Sequence, residues 1–561
     1  MSQVIVAIHE EIKELLQRAA EAAASREELP AASLSPYTIE VPADRSHGDY
    51  AVNAAMTSAK AMRMPPRKIA EALCGYFTPG TYVDRWEIAG PGFINFFVAP
   101  RFYADVVLEI LEKGNRYGQS DFGQGKKVMV EFVSANPTGP MHIGNARGGA
   151  LGDCLAGVLT AVGYNVTREF YVNDAGNQIE KFASSLEARY LQIFDPSVEF
   201  PEDGYHGADI TEHARRFADR EGDTYVRVSS QARRQALVDY ALPLNIAGLK
   251  ADLEQYRIYY DVWFLESQLH KDGSIEKLVE DMKARGLIYE KDGALWYEAT
   301  RFGGEKDEVM IRKNGIPTYF AADIAYHLNK FKTRGFDQVI NVWGADHHGH
   351  VARLKGAMEA MGVDPQRLHI VLMQMVRLVR DGEAVKVSKR TGKSITLRTL
   401  LDEVPVDAAR FIFNLREPAS HLEFDLDLAV EQTAQNPVYY VQYAHARICS
   451  ILKRLESQGV MPRACTREEL ERLDAPEERE LIRHLSSLTR LLVDAARDYN
   501  PAGVTRFAME TATLFHKFYN ACRVQGDDEP LMQARLQLCV ASRQVLRNVL
   551  DILKIEAPVS M

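Results

Sequence analysis

The sequence predicts a multidomain α/β protein: a Rossmann-like parallel-sheet domain interrupted by an insertion, with an α+β module before it and an all-α domain after it. Three observations carry this. Residues 127–133 form a β-branched apolar run, followed by a Pro/Gly loop, a small-residue helix and a second strand; this is a βαβ unit, and hence part of a parallel sheet. A charged, helical stretch at about 179–297 then breaks the sheet pattern. From residue 429 onward the apolar period is helical, with few strand signals.

The first unit covers residues 1–117. It opens on an amphipathic helix within 2–28, passes a loop holding Ser46-His47-Gly48-Asp49-Tyr50, and continues into a helix near 51–62. An alternating apolar segment, 86–98, is broken by Gly90-Pro91-Gly92. Residues 115–127, rich in Gly and polar side chains, read as a linker. The second unit covers 118–428. Its βαβ unit comprises the strand 127–133, the loop 134–141, the helix from His142 through Ala161 and the strand 167–172. After the insertion the sheet resumes at 318–323, 338–343 and 368–378. The third unit, 429–561, is helical by periodicity at 441–456, 478–498 and 504–522.

Composition narrows the class. The chain has 561 residues, 46% of them hydrophobic and 26% charged, which is ordinary for a folded protein with a large core. It contains no run of roughly 18 apolar residues, and its start lacks the basic and apolar blocks of a secretory leader, so a cytoplasmic protein is expected. Six scattered cysteines form no CxxC pair, which argues against a zinc knuckle or a disulfide framework. The formal net charge of -10 counts against nucleic-acid binding over the whole surface and leaves room for local basic patches that track one RNA.

Two short segments bear chemistry. His142-Ile143-Gly144-Asn145 follows a strand and a Pro/Gly loop at the start of a helix. Ligands of open α/β sheets bind outside the carboxyl ends of strands, and a helix N-terminus offers free N–H groups to phosphate. Gly144 has no Cβ, so a flat base can approach the backbone. Taken alone, the tetrapeptide is more often a plain helix start. The second segment is Lys386-Val387-Ser388-Lys389-Arg390-Thr391-Gly392, in a stretch with six cations against Asp381 and Glu383. A basic loop of this kind suits a triphosphate, although alone it reads more often as a solvated loop.

As a pair, in this order, the two resemble the HIGH and KMSKS motifs of class I aminoacyl-tRNA synthetases, with Asn145 in place of the final His and Val387 in place of Met. The run Glu131-Phe132-Val133-Ser134-Ala135-Asn136-Pro137-Thr138-Gly139-Pro140-Met141-His142 resembles the arginyl-tRNA synthetase family. So do Tyr171-Val172-Asn173-Asp174-Ala175-Gly176-Asn177-Gln178 and Gly344-Ala345-Asp346-His347-His348-Gly349-His350. The resemblance covers nearly the whole chain. It implies an N-terminal D-loop-binding module, a class I catalytic domain and a helical anticodon-binding domain containing Tyr440-Val441-Gln442-Tyr443-Ala444-His445-Ala446-Arg447.

The resemblance implies residue roles. ATP would meet Pro137, Thr138, Gly139, His142, Gly144, Asn145, Lys386, Ser388 and Lys389, with His142, Lys386 and Lys389 acting in catalysis. Arginine would meet Glu131, Ser134, Asn136, His142, Tyr319 and Asp323, with Asp323 the main guanidinium partner. Asp346 or His347 stands where the family has a glutamine. A guanidinium is a planar cation with five donors, so carboxylates and an aromatic wall suit it. On tRNA, Phe93 would stack on a splayed base and Asn95 read its edge, while Tyr443, Tyr519 and Met561 would pack on anticodon bases.

The implied partners are ATP with Mg²⁺, L-arginine and arginine tRNA, with no zinc, no membrane and a monomeric state, and with tRNA bound before arginine is activated. Three rivals stand beside this reading. Another class I synthetase, of cysteinyl or glutamyl type, would share both motifs, but the cysteinyl type normally brings zinc-binding Cys. A small-molecule adenylyltransferase would leave the helical domain without a purpose. A synthetase-derived RNA-binding protein would not need Glu131, His142, Tyr319, Asp323, Lys386 and Lys389 together.

Overall fold

The computed structural model describes residues 2–385 and 395–561, with Arg45 described in its backbone alone. Its centre is a five-stranded, wholly parallel sheet. In spatial order the strands are Leu368–Met373, Gln338–Gly344, Lys127–Glu131, Asn165–Val172 and Val262–Leu265. The first strand in sequence thus lies in the middle, between the second and the fourth. At that reversal the two crossovers leave toward opposite faces and open a crevice at the carboxyl ends. Both ends of the crevice carry chemistry: Glu131 closes the first strand, and Gly344 closes the fourth.

The strands are buried on both faces. One face meets the helix Ile143–Ala161, hereafter the signature helix, whose small residues Ala146, Gly149, Ala150 and Gly152 allow close approach. A Cβ on Gly152 would sit 2.3 Å from the Phe132 ring, so nothing larger than glycine fits there without rearrangement. The other face meets the helices Tyr319–Leu328 and His348–Ala360 through Phe320, Ile324, Leu354 and Met358.

In the catalytic domain four details differ from the sequence expectation. The sheet resumes at Val262–Leu265, well before residue 318, so the helical insertion is shorter than 179–297; it comprises Asn177–Phe194, Ala208–Glu221 and Ser230–Gln255. A four-residue strand has no period long enough to stand out from charged neighbours. Residues 288–291, 294–297 and 308–311 form a small antiparallel sheet that the reading missed. Residues 318–323, read as strand, begin a helix after Thr318, because Ala321, Ala322 and Ala325 favour helix over the aromatic pair that suggested a strand. The run 368–378 breaks after Met373, where Gln374 N donates to Pro418 O, and its second half joins another sheet with Leu422–Asp425.

The insertion has its own core of Phe182, Leu186, Tyr190, Ile210, Phe217 and Leu237. The N-terminal module packs Gln3–Ser25 on a four-stranded antiparallel sheet. The C-terminal part is helical throughout, from Pro437–Ser457 to Glu529–Leu553; the segment read as one helix at 478–498 is two, Pro476–Ser486 and Leu488–Arg497. One continuous core joins the N-terminal module, the signature-helix face of the sheet and the C-terminal helices. Among the described residues no helix is long and apolar enough to cross a membrane.

Candidate active site

The crevice collects the predicted residues from distant parts of the chain. His142 is the N-cap of the signature helix, in extended conformation. Its backbone N–H is accepted by Asn145 Oδ1 at 3.1 Å, and Asn145 N donates to His142 O at 2.9 Å. The Asn145 oxygen thus serves the turn that presents His142. Gly144 has a matching role. A Cβ there would stand 3.3 Å from His142 Cε1 and Nδ1, so the missing side chain makes room for the imidazole itself.

Lys386, Ser388 and Lys389 lie outside the described residues. The chain that follows them does not. Thr396 forms an antiparallel bridge with His142, and Leu397 N donates to Met141 O at 2.9 Å. The exit of the second motif is therefore hydrogen-bonded to the start of the first, although 254 positions separate His142 from Thr396. Pro137, Thr138 and Gly139 form the turn just before His142, and Asn245 of the insertion donates to Pro137 O at 2.9 Å.

The other side of the crevice is acidic. Because 319–328 is a helix, Tyr319 and Asp323 stand one turn apart on one face. The Asp323 carboxyl is buried, and burial raises its pKa above the usual carboxylate range despite a hydrogen bond from His350. His350 Nε2 lies 2.8 Å from Asp323 Oδ2, and Arg353 Nε donates to His350 Nδ1 at 2.7 Å. A ring whose Nδ1 accepts must carry its proton on Nε2. His350 therefore orients Asp323 as a neutral donor and leaves its negative charge for a ligand. Tyr319 is about half exposed, and the neighbouring Asp323 charge, then burial, raises its pKa, which keeps the phenol an O–H donor.

Glu266, unremarked in the sequence, is the third acid. It is buried, it accepts from Tyr171 Oη at 2.8 Å, and burial together with the Asp323 charge raises its pKa. It follows the edge strand that the sequence did not reveal, so no local pattern announced it. Glu131 is buried too, but its charge is met within the protein. The fully buried Lys330 donates to Glu131 Oε2 at 2.5 Å, and Ser134 Oγ donates to Oε1 at 3.0 Å. Ser134 in turn accepts from Tyr171 N at 3.2 Å. Val133 and Ser134 reach this arrangement at φ of 69° and 41°, a strained conformation for a β-branched residue and one that clusters at functional sites. Asn136 lies in the loop leaving this strand.

Asp346 and His347 lie at the carboxyl end of the strand Gln338–Gly344. Both are solvent-exposed, the Asp346 side chain at 82%, and His347 pairs only loosely with Asp346 at 3.8 Å. From this segment it is His350 that reaches the acid cluster. Among the tRNA candidates, Asn95 is buried within the N-terminal sheet at 4% exposure, whereas Phe93 is half-buried at the start of the strand. Tyr443 and Met561 are exposed. Tyr519 stacks along Phe515, and the Arg447 guanidinium lies 4.9 Å over its ring. Among the described residues no three His, Cys, Asp or Glu side chains converge as a metal cage would require.

A parallel sheet with a helix start at its reversal point, an insertion between its halves and a helical domain behind it suits a nucleotide-binding enzyme. Comparison with known proteins narrows the class. Residues 106–450 match the family model "tRNA synthetases class I (R), catalytic domain". Residues 7–98 match "Arginyl tRNA synthetase N terminal domain", and residues 441–561 match "DALR anticodon binding domain". The arginine--tRNA ligase of Caldanaerobacter subterraneus subsp. tengcongensis is 53% identical with 100% of both chains covered, and that of Ruminiclostridium cellulolyticum is 54% identical with 95% of both covered. The Thermus thermophilus arginyl-tRNA synthetase structure, 21% identical, agrees in fold with a TM-score of 0.73 over 97% of this chain and 99% of its own. The chain belongs to the arginyl-tRNA synthetase family.

Proposed function

We propose that the protein activates L-arginine with ATP and transfers it to the 3′ end of arginine tRNA. The observation that carries this is the juxtaposition of a cation pocket with a phosphate site. Tyr319, Asp323 and Glu266 offer a phenol and two buried carboxylates whose nearest basic partners are histidines, His350 at 2.8 Å from Asp323 and His270 at 3.6 Å from Glu266, while His142 and the signature-helix N-terminus lie across the same crevice. A guanidinium held by Asp323 and Glu266 would leave the arginine carboxylate directed toward the α-phosphate. The carboxylate attacks that phosphorus and pyrophosphate leaves; a ribose hydroxyl of the terminal adenosine then attacks the mixed anhydride and releases AMP. Little covalent work falls to the protein. Positioning, and cationic stabilisation by the helix N-terminus with Lys386 and Lys389, supply the acceleration. His142 has the same phosphate-facing role.

Mg²⁺ would arrive on the triphosphate. Phosphate oxygens would be its main ligands. Phe93 is the base-stacking candidate for the D-loop, and Tyr443, Tyr519 and Met561 for the anticodon; Lys386, Ser388 and Lys389, which lie outside the described residues, are the remaining candidates for the ATP site. A monomer acting in the cytoplasm fits this reading. The deciding assay is tRNA charging by purified protein. Charging should require arginine and ATP together, and charging with another amino acid in place of arginine would overturn the reading.

A further inference from the structure

Arg410 is fully buried and lies outside the crevice, and each of its three guanidinium nitrogens contacts a different structural unit. Nε donates to Leu553 O at 2.8 Å, at the end of the last helix, Glu529–Leu553, within the span matched as anticodon-binding. Nη1 donates to Tyr256 O at 2.9 Å, at the C-cap of the long insertion helix Ser230–Gln255. Nη2 donates to Asp153 Oδ2 at 2.5 Å, on the signature helix. Asp153 is itself buried, and its other oxygen accepts from Arg168 Nε at 3.0 Å.

The packing around this hub is equally direct. Gly157, one turn beyond Asp153, faces the end of the last helix so closely that a Cβ would lie 3.1 Å from Ile552 O. At the rim, Arg257, just past the insertion helix, pairs with Asp407 and with Glu556, and Gln442 bridges the same two residues. A planar guanidinium with its donors in a fixed fork sets three partners at fixed mutual distances, which a flexible ammonium cannot do. Buried groups of this kind, close-packed on all sides, transmit displacement rather than absorb it.

From this geometry we infer that Arg410 is a positioning residue for catalysis: it makes the setting of the signature helix, and so of His142, depend on the setting of the anticodon-side helix. The inference rests on the proposed charging function. Two sites coupled in this way show a free energy of interaction, and a cycle of paired changes measures it.

The test crosses two changes. Arginine tRNA transcripts carrying the native anticodon, or one exchanged anticodon base, are charged by the wild-type full-length enzyme, by Arg410→Lys and by Gly157→Ala. The second variant crowds the adjoining contact with Ile552 O while leaving the Arg410 guanidinium in place, and it decides the matter if Arg410→Lys fails to fold. Melting temperature and arginine affinity are recorded for each. In the wild type, the anticodon exchange should lower kcat as well as raise KM. In both variants the KM effect should persist while the kcat penalty shrinks at least about fivefold, the lower end of typical coupling. A merely structural Arg410 would lower stability and leave the kcat penalty unchanged; that result, or a wild-type penalty confined to KM, would overturn the inference. A wild-type enzyme that charges no tRNA with arginine would instead overturn the proposed function, and the inference with it.

Discussion

Asp323 and His350 meet at 2.8 Å on the acidic side of the crevice, and Arg353, donating to the far side of the ring, makes that contact a hydrogen bond from an uncharged imidazole. A protonated histidine there would cancel the charge that a guanidinium needs. A neutral one aims the carboxylate without spending it. The buried carboxyls of Asp323 and Glu266 then await a cation, and burial raises the pKa of both.

The pH dependence follows from this. An acid whose folded pKa is raised binds its proton more tightly in the folded state than in the unfolded state. Its folded state therefore loses stability as pH rises from about 4, the ordinary carboxylate value, through the raised pKa, and the loss is complete above it. Asp323→Asn should remove part of that slope: relative to wild type, the ligand-free variant gains stability at neutral pH and gains nothing near pH 4. Thermal melts across this range check it. Arginine binds the ionised form, so wild-type affinity should rise with pH over the same window, and Asp323→Asn should raise the arginine KM at least about 10²-fold, as expected when a charge-assisted contact is lost.

His350 acts through Asp323. His350→Ala should raise the arginine KM by roughly tenfold, the effect of one hydrogen bond of about 1.4 kcal/mol, with the ATP KM little changed. His350→Gln, which keeps a donor at similar reach, should recover much of the loss. Equal effects on both substrates would point to general disorder of the crevice instead.

Lys330 and Glu131 are a buried pair, so removing one partner strands the other. Lys330→Met should destabilise the fold by about 3–5 kcal/mol, read as a lower urea midpoint, and adding Glu131→Gln should restore part of it. A single variant as stable as wild type would show that Glu131 finds water or a proton at little cost.

Asn145 separates stability from activity. Asn145→Ala removes the acceptor of His142 N–H and should cost about 1 kcal/mol. Asn145→Asp keeps the acceptor and should match wild-type stability, yet place a negative charge beside the phosphate site and lower turnover. Unfolding curves and ATP-dependent charging rates distinguish the two.

Lys389→Ala tests the second motif. Turnover should fall at least about 10²-fold, the loss of one transition-state donor, with arginine binding nearly intact. Normal turnover would remove Lys389 from the mechanism.

Much of the architecture was legible because it is written in local patterns. The β-branched run before His142 and the helical rhythm after residue 429 needed no partner to be recognised. The strand Val262–Leu265 was not legible, since four residues show no period. With it went Glu266, the residue immediately after that strand. Thr318–Asp323 misled for a related reason: its aromatic pair suits a strand, and only the alanines that follow, with Phe320 packed against Tyr297 and His350, settle it as helix.

The sequence by itself determined the central strand, the signature helix and the chemistry of its first turn, the acidic and phenolic residue types suited to a guanidinium, and the basic segment 386–393. Local propensity and residue type decide these. Tertiary structure alone decided which acids remain uncompensated. Glu131 is neutralised by Lys330, 199 positions away, while Asp323 is met by a histidine whose proton is fixed by a third residue. It also decided that Asn145 serves the turn and that Arg410 joins three units. These depend on which groups share a buried space, where an unpaired charge is costly and a paired one is spent, and sequence distance carries no information about that.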